Sequence, residues 1–228
     1  MPWADKSAVP IGEPGEEPRQ IGGCRLRAGH SKPRDRRGVS TGPRRPAERY
    51  PVARWATLET AELDGDLVVR ARRLLLDAFD GEFGDEDWEH CLGGVHLLAL
   101  EGGRLVGHAA VVPRRLWLND VPVDVGYVEG VAVDPSLQRQ GIGLRLMHHV
   151  NHVIRRDHEL GALATGEWEF YERTGWERWT GGTHVRTGEG TRPTPEDDDA
   201  VMLLRWGDSM GLPLSGHLVC TMRSGDVW

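Results

Sequence analysis

The residues best suited to chemistry lie together in Gly126–Met147, which reads GYVEGVAVDPSLQRQGIGLRLM. One glutamate, Glu129, stands between Val128 and Val131 in an otherwise apolar strand. A carboxylate in that position is costly unless it is paired or lines a cavity. Because apolar neighbours raise the proton affinity of a carboxylate by desolvation, this environment suits a general base.

A glycine-spaced turn follows the glutamate strand, where Gln138–Gly143 reads QRQGIG before a predicted helix. Glycine lets backbone N–H groups converge and lets a ligand approach without a Cβ in the way. With the positive end of the helix, those N–H groups form an anion site whose natural occupant is a pyrophosphate. The turn lacks the G-x-G-x-x-G of dinucleotide sites and the G-K-[ST] of P-loops. Two glycines also suit a tight strand–helix turn, so spacing alone leaves both interpretations open.

The elements that position these residues can be predicted from hydrophobic periodicity and turn chemistry. Apolar residues recur at helical spacing in Leu67–Gly81 and in Leu144–Asp157. VHLLALEGGRLVGHAAVVPRRLWL predicts two strands joined at Gly102–Gly103. Further strands are predicted in VPVDVGYVEGVAVD, LGALATG and EDDDAVMLLRW, and a short helix in FYERTGW, ended by Gly175.

This element order predicts one α/β (α+β) domain around a mixed, mostly antiparallel central sheet flanked by helices. The strand containing Glu129 has no room for a crossover helix before it, so we expect it to pair antiparallel with the strand before it. Residues 51–228 form this domain. Residues 1–50 are rich in Arg, Pro and Gly without strand or helix periodicity, which predicts a flexible tail.

Charge is distributed unevenly along the 228 residues, whose net charge is −7. The first 50 residues contain 11 Lys and Arg and 6 Asp and Glu, which leaves 17 basic and 29 acidic residues in 51–228. An acidic surface concentrates cationic ligands.

Three cysteines, Cys24, Cys91 and Cys220, show no C-x-x-C spacing. An odd count without that spacing argues against a disulfide or zinc framework and for a reducing compartment, so we expect a cytoplasmic protein without a metal. Apolar runs fall short of the roughly 18 residues that would predict a membrane span, and no signal-peptide pattern is found. His148 and His152 have zinc-like helical spacing but lack a third ligand, and no aromatic interleaving supports nucleic-acid binding by the Arg-rich tail.

The strand VEGVAVDP followed by Q-x-x-G-x-G resembles motif A of the GNAT superfamily, the acetyl-CoA-dependent N-acetyltransferases. The resemblance implies a GNAT-like fold and acetyl-CoA as the cofactor. In that family the strand holds the pantetheine arm and the turn holds the pyrophosphate. Carried over, the pantetheine contacts are Val131, Ala132 and Val133, and the phosphate contacts are Gln138, Arg139, Gln140, Gly141, Ile142 and Gly143.

A narrower resemblance, to the aminoglycoside 2'-N-acetyltransferases, runs from about Val52 to Trp228. It rests on the blocks DAFDGEFGDEDWEHCLGGVH, HAAVVPRRL, GYVEGVAV, LGAL, TPEDDDAV and GDVW. It implies a homodimer and a polycationic amino-sugar substrate, which the acidic domain suits. The implied substrate contacts are Glu82, Glu129, Gly130, Glu196, Asp197, Asp198, Asp226 and the terminal carboxylate of Trp228.

The implied reaction is direct acetyl transfer to the 2'-amine in a ternary complex, which confers aminoglycoside resistance. Glu129 is predicted to be the general base, through an ordered water, with a backbone N–H near Val131 polarising the acetyl carbonyl. The resemblance nominates Tyr171 as the acid that protonates the leaving thiolate. Two alternatives stay open: a GNAT enzyme acting on another amine, such as a cell-wall amino sugar or a polyamine, and a non-catalytic protein that sequesters aminoglycosides.

Overall fold

The computed structural model of the protein describes residues 54–228. The predicted tail, residues 1–50, lies outside the described residues. The helices are α1 (Gly65–Ala78), α2 (Asp85–His90), α3 (Ile142–Asp157) and α4 (Trp168–Glu172). The strands are β1 (Arg54–Glu59), β2 (Val95–Glu101), β3 (Arg104–Leu118), β4 (Val121–Val133), β5 (Leu160–Ala164), β6 (Glu177–Arg178), β7 (Gly182–Thr187), β8 (Gly190–Pro193), β9 (Val201–Leu204) and β10 (His217–Thr221).

All ten described strands form one sheet, in the order β6-β9-β5-β4-β3-β10-β7-β8, with β2 beside the first half of β3 and β1 beyond β2. Only β4–β5 and β7–β10 pair in parallel within the described chain. The mixed, mostly antiparallel sheet predicted from sequence is therefore confirmed. The long strand β3 has β2 as its neighbour in its first half and β10 near its end.

Two tight turns connect β2 to β3 and β3 to β4. Gly102 and Gly103 have φ of 57° and 83°, and Asn119 and Asp120 have φ of 47° and 69°. Two successive residues with positive φ give a turn whose twist matches that of the flanking strands. Gly, Asn and Asp adopt this left-handed backbone conformation most easily. The predicted hairpin at Gly102–Gly103 and the antiparallel pairing of β4 with β3 are both confirmed.

Side-chain alternation along the strands divides the core between two faces of the sheet. Leu97 belongs to the cluster under α3, whereas its neighbour Leu98 belongs to the cluster under α1. Ala109 and Ala110 divide in the same way. Because successive strand residues point to opposite faces, an apolar run such as HLLAL can serve both helical layers.

The helices begin and end close to where the sequence predicts. Asp64 accepts a hydrogen bond from the Leu67 N–H at 2.7 Å and caps α1, which ends three residues before Gly81. Helix α3 begins at Ile142, two residues earlier than predicted, because Gly141 takes the N-cap position. The acid run of EDDDAVMLLRW forms a turn at 195–197, and the strand itself is β9.

Strands β4 and β5 separate partway along their length. Their parallel ladder pairs Val125–Tyr127 with Leu160–Ala162 and ends there, while β4 continues to Val133. Glu129 and the residues after it lie in this unshared half of β4. No helix within residues 54–228 is long and apolar enough to cross a membrane.

Candidate functional site

The turn between β4 and α3 owes its shape to two residues with left-handed backbone. Arg139 has φ of 62° and Gly141 has φ of 85°. A Cβ added at Gly141 would meet nothing within 4 Å, so glycine serves the backbone conformation and leaves open space above it. The Gln138 side chain donates to the Val133 carbonyl at 3.3 Å and fastens the turn to the end of β4.

At Gly143 the requirement for glycine is steric. A Cβ there would lie 3.2 Å from Cζ of Phe170, which is tighter than ordinary contact. The Phe170 ring of α4 therefore packs over the first turn of α3, and any larger residue at 143 would displace it. The two glycines of the motif thus have separate structural causes, one conformational and one steric.

The start of α3 fits a diphosphate. This helix has 16 residues, no acidic residue in its first turn and no side-chain cap at Gly141. Uncapped N-terminal amides and the helix dipole favour a bound anion, and the open space above Gly141 leaves room for one. Within residues 54–228 no group of three or more His, Cys, Asp or Glu could hold a metal ion.

A β-bulge places Glu129 and Val131 on opposite faces of β4. The register shifts between the pairs Ala110–Glu129 and His108–Ala132, so Gly130 and Val131 face one residue of β3. Gly130 has φ of 55°, and a Cβ on it would lie 2.7 Å from the Cys91 sulfur. Only glycine satisfies both conditions, which explains why Gly130 follows the glutamate.

Two buried histidines support the bulge from behind. The Gly130 carbonyl accepts a hydrogen bond from His108 Nδ1 at 2.7 Å, so His108 Nε2 is the acceptor for His96 Nδ1, 3.0 Å away. His96 Nε2 lies 3.0 Å from the Thr60 hydroxyl, which completes the chain. Burial lowers the pKa of His108 to about 4 and that of His96 to about 3, so both rings stay neutral near neutral pH. The Gly130 carbonyl and the Val131 N–H belong to one trans peptide and point in opposite directions. The hydrogen bonds that hold the carbonyl therefore also fix the direction of the Val131 N–H.

Glu129 is almost enclosed, since its side chain is 15% exposed. Its Oε1 accepts a hydrogen bond from Arg223 Nη1 at 2.7 Å. Burial raises the pKa of Glu129, and the Arg223 guanidinium opposes that rise. The carboxylate is therefore both desolvated and paired, the combination that the position of Glu129 in an apolar strand required.

The C-terminal segment, defined as residues 222–228, closes over this part of β4. Arg114 of β3 donates to the Val227 carbonyl at 2.9 Å. The Ser224 carbonyl lies 2.8 Å from His90 Nε2 of α2, and the Trp228 indole N–H donates to Thr194 Oγ1 at 3.0 Å. These contacts join α2, β3 and the 194–198 turn, meaning the turn at 195–197 with one residue on either side, to the C-terminal segment.

Two of the acidic residues predicted to bind substrate, Asp226 and Asp197, lie in this segment or beside it. Asp226 is half-buried, and burial and the neighbouring Asp87 raise its pKa. Asp197 is buried, and desolvation and then Glu196 raise its pKa to about 6, with a smaller contribution from Asp226. The structure thus brings Glu129, Asp226, Trp228 and Asp197 into one neighbourhood.

Three other predicted residues lie in different settings. Glu196 is exposed in the 195–197 turn, and Glu82 is exposed between α1 and α2. Asp198 uses Oδ1 to accept hydrogen bonds from the backbone N–H and hydroxyl of Thr183, at 2.7 and 2.8 Å. That carboxylate oxygen holds the 194–198 turn to β7, a structural contact that the sequence did not predict.

Tyr171 lies on α4 and is buried in the core cluster that also contains Val128 and Val131. Its backbone carbonyl accepts hydrogen bonds from Thr174. Asn151 of α3 then donates to the Thr174 carbonyl at 2.8 Å and accepts from the Trp176 indole at 2.9 Å. This network fixes α4 against α3 and the unshared half of β4.

Sequence reasoning missed four residues of the site: His96, His108, Arg114 and Arg223. Each histidine stands in an apolar strand, as Glu129 does, and a buried polar residue needs a partner. That signal was available in HLLAL and GHAAVV. The two arginines gave no comparable signal, because their partners are backbone carbonyls and a carboxylate far away in sequence.

Comparisons with known proteins agree with this geometry. The family described as acetyltransferase (GNAT) domain matches residues 62–179. An aminoglycoside 2'-N-acetyltransferase from Mycolicibacterium fortuitum is 40% identical over 175 residues, which cover 75% of this chain and 90% of that protein. The chain therefore belongs to the GNAT acyltransferases, in the family of the aminoglycoside 2'-N-acetyltransferases.

A solved structure with a TM-score above 0.5 has the same fold. A GNAT family N-acetyltransferase from Escherichia coli, solved in complex with CoA, matches 77% of this chain and 93% of its own with a TM-score of 0.53 at 16% identity. A GCN5-related N-acetyltransferase from Kribbella flavida matches with a TM-score of 0.48 and 20% identity over 57% of this chain. The chain spans only 34% of that second protein.

Proposed function

We propose that the protein transfers the acetyl group of acetyl-CoA directly to the 2'-amine of aminoglycosides, and so confers resistance to them. The observation that carries the proposal is the position of Glu129, a nearly enclosed carboxylate on the strand that leads into the glycine turn. The 40% identity with an aminoglycoside 2'-N-acetyltransferase supports the choice of substrate.

Acetyl-CoA supplies an acetyl thioester when it is bound. The amides of Gln138–Gly143 and the positive end of α3 hold its diphosphate, and Val131, Ala132 and Val133 line its pantetheine arm. The Val131 N–H, whose direction the His108–Gly130 bond fixes, donates toward the acetyl carbonyl oxygen. Phe170 over Gly143 and Tyr171 near Val131 in the same core place α4 beside this path.

The substrate amine must lose a proton before it attacks, because an ammonium ion has no lone pair. Glu129 takes this proton through an ordered water, and burial brings its pKa closer to neutral, where a general base is most effective. In this proposal Asp226, Asp197 and Glu196 hold the other ammonium groups, and Glu82, Asp198, Gly130 and Trp228 make the remaining substrate contacts. Tyr171 returns a proton to the thiolate.

The test uses two aminoglycosides that differ at the reacting position. Tobramycin has a 2'-amine and amikacin does not. We expect thiol release from acetyl-CoA with tobramycin and none with amikacin, and mass spectrometry should locate the added acetyl group on the 2'-amine. Expression in a susceptible bacterium should protect it from tobramycin only.

Other outcomes would contradict the proposal. Tight tobramycin binding without thiol release would make the protein a sequestering binder, and turnover only with other amines would make it a GNAT enzyme of different specificity. The homodimer and the cytoplasmic location implied by sequence stay predictions.

A further inference from the structure

Arg223 contacts three parts of the site through three different nitrogens. Its Nη1 donates to Glu129 Oε1 at 2.7 Å, and its Nε donates to the Asp226 carbonyl at 2.7 Å. Its Nη2 lies 3.4 Å from the main-chain oxygen of Trp228. The side chain is only 18% exposed, so little water competes for these bonds.

Arg114 provides an internal comparison. It also stacks on Tyr127, with its Cζ 4.4 Å from the ring centroid against 5.6 Å for Arg223, and it also binds a carbonyl of the C-terminal segment. Within the described residues, however, Arg114 makes no salt bridge within 4.0 Å, whereas Arg223 pairs with Glu129. The two arginines share their surroundings and differ in their contact with the carboxylate.

We propose that Arg223 is a positioning residue that orients the Glu129 carboxylate and joins it to the wall formed by Asp226 and Trp228. The inference rests on the proposed function, because a general base has a role only in a reaction that removes a proton. The consequence is that one guanidinium fixes the positions of both the Glu129 carboxylate and the C-terminal segment. A shift of one is therefore accompanied by a shift of the other.

The shape of the guanidinium explains why this position holds arginine. Its planar fork presents N–H groups in several directions at once, so it can bind the Glu129 carboxylate on one side and two main-chain oxygens on the other. A lysine has one nitrogen on a flexible stem and cannot reach all three acceptors together. Replacing Arg223 with lysine therefore keeps the charge and loses the geometry.

The charge of Arg223 also acts on Glu129. Three charged groups face this carboxylate: Arg223 from the C-terminal segment, Arg114 from β3 and Asp87 from α2. Tyr127 lies two residues away on β4 itself. The two arginines lower the pKa of Glu129, Arg223 by more than Arg114, while burial and Asp87 raise it. Removing the Arg223 charge removes the largest effect that opposes burial, so the pKa of Glu129 should rise.

The experiment measures the Glu129 titration directly in the substrate-free full chain, by NMR of ¹³C-labelled glutamate carboxyls. The Glu129 signal is assigned by its loss in Glu129→Gln. We expect Arg223→Gln to raise the midpoint by about one pH unit, since a cation in contact shifts a carboxylate by roughly that amount or more. The matched control, Arg114→Gln, should raise it by less than half as much.

In each variant, the acidic limb of the pH profile of kcat/KM should shift by the same amount as the NMR midpoint of Glu129. Arg223→Lys, which keeps the charge, should leave the midpoint close to wild type and lower kcat about 10-fold, because a misplaced base is a poor base. A midpoint in Arg223→Gln at or below the wild-type value would overturn the inference, and so would an equal shift in Arg114→Gln. If the wild type acetylates no aminoglycoside, the proposed function fails, whereas the titration still decides the role of Arg223.

Discussion

The glycine turn at Gln138–Gly143 and the Glu129 cluster, meaning Glu129 with the contacts around it, are both carried by the same half of β4, yet they are built in opposite ways. The turn consists of six consecutive residues and presents main-chain N–H groups. The Glu129 cluster joins β4, β3, α2 and the C-terminal segment through charged side chains and hydrogen bonds. One site is local and the other is assembled by the fold.

This difference determines which changes each region tolerates. The turn depends on backbone conformation and on the small size of Gly143, so a substitution elsewhere in it that leaves φ alone has little effect on it. The Glu129 cluster depends on contacts between residues up to 134 positions apart, as in His90 and Ser224, so one side-chain change affects several segments. The three variants below separate these two kinds of dependence, in order of expected effect.

The largest effect should come from Glu129→Gln, which keeps the shape and removes the proton acceptor. We expect kcat with tobramycin to fall by at least about 100-fold, the usual minimum contribution of a general base. The affinity for CoA, measured by calorimetry, should stay unchanged, because the turn does not use this carboxylate. A matched control is Glu189→Gln, an exposed glutamate in the β7–β8 turn, which should retain wild-type kcat. More than about a tenth of the wild-type kcat in Glu129→Gln would exclude the general-base role.

A smaller effect should come from Gly141→Ala, which places a Cβ on a residue with φ of 85°. The left-handed conformation costs a non-glycine residue roughly 1–2 kcal/mol, so the turn is strained or rearranged. We expect the KM for acetyl-CoA to rise about 10-fold while kcat changes less, since about 1.4 kcal/mol is tenfold in affinity.

Gly103→Ala is the control for that strain. Gly103 has φ of 83°, and like Gly141 it has nothing within 4 Å of an added Cβ, but it lies in the β2–β3 turn. Both variants should lose a similar amount of stability in urea unfolding. Only Gly141→Ala should change the KM for acetyl-CoA, and an equal change in both would show that the turn has no special role.

The smallest effect on activity concerns the buried histidines behind the bulge, whose measurable consequence is in the pH dependence of stability. Below about pH 6.5 the unfolded chain binds a proton at each histidine. In the folded protein, His108 binds a proton only at about pH 4 and His96 only at about pH 3. Protons therefore favour unfolding, and stability falls as the pH is lowered from about 6.5 to 4, by up to about 1.4 kcal/mol per pH unit for each histidine.

The measurement is urea unfolding at several pH values in wild type and in His96→Asn with His108→Asn. Asparagine keeps a donor near the Nδ1 position and does not titrate, so the double variant should lose part of the slope. Asp197, whose pKa is raised to about 6, contributes the opposite slope in both proteins and cancels in the difference. His148→Gln, at an exposed position on α3, should keep the wild-type slope. An unchanged slope in the double variant would contradict the neutral, buried assignment.

Local sequence signals predicted the central part of the fold. Helices α1 and α3, the β2–β3 hairpin, β4, β5 and β9 follow from periodicity and turn residues. Strands β7 and β10 were missed, because GTHVRT and HLVCT are short, partly polar and paired with each other in parallel across more than 30 residues. Strands β1, β6 and β8 were also missed, and the last two have only two and four residues.

The sequence by itself determined the turn at Gln138–Gly143 and the need for a partner at Glu129. Both are consequences of neighbouring residues: glycine conformation in one, and the cost of a charge among valines in the other. Only the tertiary structure decided which groups satisfy Glu129 and Gly130. Arg223 reaches Glu129 and His108 reaches Gly130, each from a distant segment. No local rule encodes which distant segments come together when the sheet and the C-terminal segment fold.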